Sequence, residues 1–237
     1  YGPFHDPMRL FIGSEGTLGI ITAVRVRLIP APPPYISLLV PFASLDGALA
    51  CALSFRAGPL CSLRPRCVEL FDSTAIELLK SHPKPPATIR ENQAFLYLEF
   101  DSGDAELSEV LDKNLTPLRG HRALIDDCVI AVSPSEKAWI RELRHHIPET
   151  CNRLASSHRQ TGGLKVSTEF AVPTSSLLEM MEFVQRSADE AGLDYMVRYG
   201  HIGNGHPHIF MFGRNPEEVA ARKRLAHLWC SKAVSLG

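Results

Sequence analysis

The chain has 237 residues, 45% of them hydrophobic and 22% charged, enough to bury a sizeable core as one large domain or two smaller ones. Its formal net charge is −1 and its basic residues are scattered, which argues against an electrostatic grip on nucleic acid or anionic lipid. No apolar run approaches the ~20 residues that span a bilayer.

Taken in order, the first 30 residues form a unit. The apolar run Leu10-Phe11-Ile12 leads into Gly13-Ser14-Glu15-Gly16-Thr17-Leu18-Gly19, and Ile20 to Ile29 then alternates, in its second half, as a half-exposed strand does. The glycine-rich stretch is neither a Walker loop nor a dinucleotide fingerprint. A tight structural turn and a backbone contact to an extended ligand both fit it. Four prolines between Pro30 and Pro34 stop the strand and read as a stiff linker.

Beyond the linker, strand and helix alternate. Strands are predicted over Ile36–Val40, Val68–Phe71, Ala94–Phe100, Val129–Val132 and Lys165–Val172. Helices are predicted over Leu45–Phe55, capped by Ser44 or Asp46, and over Thr74–Lys80, Asp104–Leu118 and Ser135–Ala155, the last bent near Pro148. Ser175–Ala191 is an amphipathic helix closed by Gly192, two short strands flank a turn within Tyr195–Phe212, and Pro216–Val234 is a final helix. The pattern predicts an α+β fold, with helices packed on a largely antiparallel sheet.

The six cysteines form no Cys-x-x-Cys pair, and several sit in apolar runs. They read as buried free thiols of a reducing, cytoplasmic compartment, with peripheral membrane attachment left open.

The chemistry concentrates in Gly200-His201-Ile202-Gly203-Asn204-Gly205-His206-Pro207-His208. Asn-Gly between strand-like flanks is a strong hairpin signal, because a type I′ turn needs positive φ at both central residues. A turn centred on Asn204-Gly205 sets His201 opposite His208, with Cβ atoms about 4.5–5.5 Å apart. Two imidazoles so placed suit one divalent ion, and His206 falls on the same face by the two-residue strand period. A helix is refused here by the glycines and Pro207. Two histidines alone make a poor site, so a carboxylate ligand is expected from elsewhere. The plainer alternative is a hairpin whose histidines are merely exposed or hydrogen-bonded.

Leu10 to Thr22 resembles the closing signature of the FAD-binding domain in vanillyl-alcohol-oxidase-type flavoproteins. The chain after the linker is similar to the FAD-linked oxidase C-terminal domain of D-lactate dehydrogenases, the glycolate oxidase flavin subunit and D-2-hydroxyglutarate dehydrogenase. Val68-Glu69-Leu70-Phe71-Asp72 resembles that family's Glu-Phe-Met-Asp strand. The hairpin is similar to its His-x-Gly-Asp-Gly-Asn-x-His, with Asn204 for Asp and His206 for Asn. The resemblance implies a ferredoxin-like substrate domain over residues 35–237, joined by a linker at 31–34 to the last strands of an FAD-binding domain at 1–30. It also implies flavin oxidation of a D-2-hydroxy acid of the lactate, glycolate or 2-hydroxyglutarate class.

Under that resemblance His201 and His208 are catalytic metal ligands for zinc or manganese, and Arg144 is the catalytic clamp on the substrate carboxylate. Lys165 and His206 lie near the substrate, and Gly13, Ser14, Glu15, Gly16, Thr17, Gly19, Ile20 and Ile21 contact FAD. Electrons leave to a quinone, a cytochrome or an electron-transfer flavoprotein, and a homodimer is compatible with the pattern. Tyr1 opens the chain and Gly237 follows directly on a helical pattern, so both ends read as cuts. The family's pyrophosphate loop would precede Tyr1, and its Ser-Gly-Glu-His-Gly segment, with the third metal ligand, would follow Gly237. This stretch alone is therefore expected to hold FAD weakly and to be inactive. The competing readings are a metal-dependent hydrolase built on the hairpin, and a metal-binding or assembly domain without redox chemistry of its own.

Overall fold

A computed structural model describes residues 8–90 and 94–237. The chain divides into two compact units, Tyr1–Pro32 and Pro33–Gly237. In the first, a single helical turn, α1 (Met8–Phe11), runs into a glycine turn in which Gly13, Glu15 and Gly16 all adopt positive φ. The strand predicted over Ile20 to Ile29 is not formed, and Ile20 and Leu28 are 90% and 85% exposed. Alternation supplies a face, but a strand also needs a neighbour for its backbone N–H and C=O groups, and none pairs with this segment among the described residues.

The second unit is a seven-stranded antiparallel sheet between two helical layers. Its strands are β1 (Tyr35–Phe42), β2 (Cys67–Phe71), β3 (Ala94–Asp101), β4 (Val129–Ala131), β5 (Leu164–Glu169), β6 (Met196–His201) and β7 (His206–Gly213). They lie in the order β4-β1-β3-β2-β6-β7-β5. The first four have the 4-1-3-2 order of a ferredoxin-like unit. The last three continue the sheet where β2 pairs with β6, Leu70 opposite Gly200 and Phe71 opposite Tyr199. Strands β1 and β3 are apolar almost throughout because both their faces are covered.

The helices follow their local signals. Ser44 caps α2 (Leu45–Ala57) by accepting from Gly47 N at 3.2 Å, and Asp72 caps α3 (Ser73–Leu79). A shorter helix, α4 (Leu107–Asn114), occupies part of the span predicted for it and passes into a 3₁₀ turn at Thr116, ahead of Pro117. Helix α5 (Pro134–Ser157) starts at a reciprocal Ser133–Glu136 capping box and runs through Pro148. Helix α6 (Leu177–Glu190) stops where Gly192 turns left-handed at φ +62°, and α7 (Pro216–Leu236) is capped by Asn215.

The two faces of the sheet carry separate cores. On one, Leu38, Leu70, Leu96 and Met211 pack under α2, α6 and α7 through Leu49, Met180 and Trp229. On the other, Phe71, Phe95, Val197, Tyr199 and Phe210 pack under α3 and α5 through Ile76, Leu79, Ile140, Leu143 and Ile147. Each fully buried aliphatic contributes about 1.5–3 kcal/mol. This second core fixes α5, and with it Arg144, over the sheet.

Candidate functional site

Strands β6 and β7 place their side chains on alternating faces, so the apolar row under α5 continues into polar groups. Past Tyr199 comes His201, and before Phe210 come His208 and His206, all three half-buried on one face. Their ring centroids lie 5.2 Å (His201–His208), 5.7 Å (His201–His206) and 4.8 Å (His206–His208) apart.

The turn between them differs from the predicted type I′ form. Residues Ile202–Asn204 make one 3₁₀ turn closed by Gly205 at φ +74°, so His201 faces His206 and Tyr199 faces His208. The longer loop buries Ile202, which is 1% exposed, and Arg56 Nε donates to Gly203 O at 2.9 Å. The pairing slips by two residues rather than one, so all three imidazoles keep the predicted face.

Two glutamates complete the cluster, and sequence reasoning assigned neither to the site. Glu169, at the end of β5, lies opposite His208. Its Oε2 is 3.2 Å from His206 Nε2 and 3.2 Å from His208 Nδ1. The second approach is off the line of a hydrogen bond, and His208 Nδ1 is a buried polar atom without a hydrogen-bond partner among the described residues. Burial holds the His208 imidazole below the usual histidine range, and the neighbouring His206 and His201 push it the same way, against the pull of Glu169. These effects favour the neutral ring, the form in which an imidazole ligates a metal. Donor atoms of Glu169, His206 and His208 all lie within 4.8 Å of one another.

Glu69 lies on β2 with its side chain 6% exposed. Its Oε1 accepts from His201 Nδ1 at 2.9 Å, and its Oε2 accepts from Arg144 Nε. Lys165 is held farther along the face, its amine 2.7 Å from Asn152 Oδ1 and 4.0 Å over the Phe210 ring. The structure thus gathers His201, His206, His208 and Arg144, and ties Lys165 to α5.

A metal fits these residues. An orphaned imidazole nitrogen faces a carboxylate, and the nitrogen and oxygen donors suit zinc or manganese. Burial pushes the Cys67 and Cys151 thiols up to about 12, and the donor group contains no cysteine among the described residues. All six cysteines are free.

The Gly13–Gly19 turn stands in its own unit. Among the described residues a Cβ at Gly13 or Gly16 would meet nothing within 4 Å, and both glycines adopt a positive φ that favours glycine. No helix among the described residues is long and apolar enough to cross a membrane.

The fold and the cluster define an antiparallel α+β domain with a histidine–carboxylate site on one face of its sheet. More particularly, the chain belongs to the FAD-linked oxidase C-terminal domain family, whose family model matches residues 32–237. It is 27% identical over 225 residues to a D-lactate dehydrogenase of Anaerostipes hadrus, covering 92% of this chain and 45% of that protein. It is 28% identical over 206 residues to a D-2-hydroxyglutarate dehydrogenase of Xanthomonas citri pv. viticola, covering 86% and 41%. An alkyldihydroxyacetonephosphate synthase structure shares the fold, with a TM-score of 0.63 at 17% identity over 96% of this chain and 44% of that one. The chain spans less than half the length of these relatives.

Proposed function

We propose that this chain supplies the substrate-and-metal half of an FAD-dependent dehydrogenase that converts a D-2-hydroxy acid of the lactate, glycolate or 2-hydroxyglutarate class to its 2-oxo acid. The observation that carries the proposal is the meeting of the Glu169, His206 and His208 donors on one sheet face, with the His201 ring 5.2 Å from that of His208 and Arg144 reaching the face through Glu69. The names of the relatives support the reaction class.

His208 and His201 hold the divalent ion in this reading, zinc or manganese, with Glu169 and His206 within reach of it. When bound, the metal supplies Lewis acidity toward the substrate's hydroxyl and carboxylate oxygens, and FAD supplies the two-electron acceptor. Arg144 binds the carboxylate, a task suited to a planar guanidinium. His206 would lie beside the substrate, and a cluster imidazole that the ion leaves free would take the hydroxyl proton on a ring nitrogen. Lys165 lies at the margin of the substrate space. The Gly13–Gly19 turn with Ile20 and Ile21 offers exposed backbone to FAD at the end of an FAD-binding domain. Reoxidation falls to a quinone, a cytochrome or an electron-transfer flavoprotein.

The test is anaerobic addition of D-lactate, glycolate and D-2-hydroxyglutarate to the full-length protein while the flavin absorbance is followed. Bleaching is expected with one of them, abolished by chelation and restored by zinc or manganese. Unchanged absorbance with all three would count against the proposal. It would favour the second reading, a metal-binding domain without redox chemistry, which rests on the three donors this chain brings together by itself.

A further inference from the structure

A carboxylate as buried as Glu69 is costly unless both its oxygens are satisfied. Both are, and by residues far away in the chain: His201 on β6 at Oε1, and Arg144 on α5 at Oε2. A helix and two neighbouring strands therefore converge on one side chain. In the apolar strand core this position has no packing need for an acid, since Leu70 and Phe71 beside it are fully buried hydrophobics.

From this geometry we infer that Glu69 is a positioning residue that sets His201 and Arg144 together for metal and substrate. The inference rests on the reading of the site given above. A carboxylate only accepts, so the hydrogen of the His201 ring is drawn to Nδ1 and the lone pair is left on Nε2. An imidazole held this way by an acid is the arrangement found behind metal-ligating histidines, and it fixes both tautomer and ring orientation. On the other oxygen, Arg144 is held through Nε alone. Its Nη1 and Nη2 make no hydrogen bond among the described residues, which leaves those donors available to a substrate carboxylate. One acid thus fixes the spacing between the group that grips the metal and the group that grips the substrate.

The alternative is a buried ion pair that only holds α5 to the sheet. Glu69→Gln separates the two. Its amide oxygen accepts from one partner, while its NH2 opposes the N–H of the other. Selective ¹⁵N-histidine labelling of the full-length protein reads the tautomer of each ring without any turnover. The wild-type His201 is expected as the Nδ1–H form, and Glu69→Gln is expected to mix in the Nε2–H form. Zinc affinity, titrated with zinc chloride, should fall by about 10–100-fold. The KM for D-lactate or D-2-hydroxyglutarate should rise together with a fall in kcat, and Glu69→Asp should recover part of each.

A wild-type His201 protonated on Nε2 overturns the inference without any variant. So does a Glu69→Gln protein with lowered Tm but unchanged tautomer, zinc affinity and KM, because that is the signature of a purely structural pair. Shifted tautomer and zinc affinity in a protein that oxidises no hydroxy acid would uphold the positioning role and reject the proposed reaction.

Discussion

Gly200 and His208 share a space that one methyl group would fill: a Cβ on Gly200 would stand 2.4 Å from His208 Cδ2. Gly200 also sits at φ +111°, where a side chain is strained whatever the space. Gly200→Ala should push the His208 ring off its place and cost roughly 1–3 kcal/mol in backbone strain. Zinc titration of the variant is expected to show an affinity at least about 10-fold weaker. Wild-type affinity would mean that His208 does not hold the ion.

Arg198 and Asp72 form the most deeply buried ion pair described, with Nε 2.9 Å from Oδ2 and side chains 12% and 1% exposed. Burial pushes the Asp72 carboxyl up, and Arg198 opposes it. Asp72 also caps α3 by accepting from Ala75 N at 2.8 Å. Arg198→Met leaves that carboxylate unpaired and should cost about 3–5 kcal/mol in urea denaturation. Adding Asp72→Asn should restore more than half of the loss, since asparagine keeps the cap and removes the charge. A double variant no more stable than Arg198→Met would refute this division of roles.

His146 gives the fold a dependence on acid. Burial, helped by the nearby His82, lowers its affinity for a proton relative to the ordinary value of 6.5. Its Nε2 donates to Ser81 Oγ at 2.8 Å, because the Ser81 hydroxyl already donates to Leu78 O. The unfolded chain therefore binds this proton more readily than the folded one. The resulting penalty is absent above about pH 6.5, grows as the pH falls below it, and levels off below the folded value. Denaturation midpoints measured from pH 8 to pH 5 should fall less steeply for His146→Gln than for the wild type. Parallel curves would assign the acid sensitivity to other groups.

Much of the scaffold was legible because its signals are local. Ser44, Ser133 with Glu136, and Gly192 mark helix ends through bonds made within a few residues of themselves. The shared face of His201, His206 and His208 was legible for a different reason: a two-residue period survives a two-residue slip. The turn itself was misread because the burial of Ile202 and the hold of Arg56 on Gly203 are tertiary, and they outweigh the Asn-Gly preference. Glu69 and Glu169 could not be singled out, since nothing in either local sequence states which strand lies beside it. The only available signals were an acid inside the apolar run Val68–Phe71 and one closing the alternation of Leu164–Glu169. The expected strand over Ile20–Ile29 failed for the same reason, pattern without a partner.

The most direct measurement is anomalous diffraction at the zinc edge from crystals of the full-length protein grown with zinc chloride. The expected map has one strong peak about 2.0–2.1 Å from a ring nitrogen of His208 and from His201 Nε2, on the side of the sheet that carries Glu169. A map with no peak between those two rings, in crystals where zinc is seen elsewhere, would contradict the metal site on which the proposed chemistry depends.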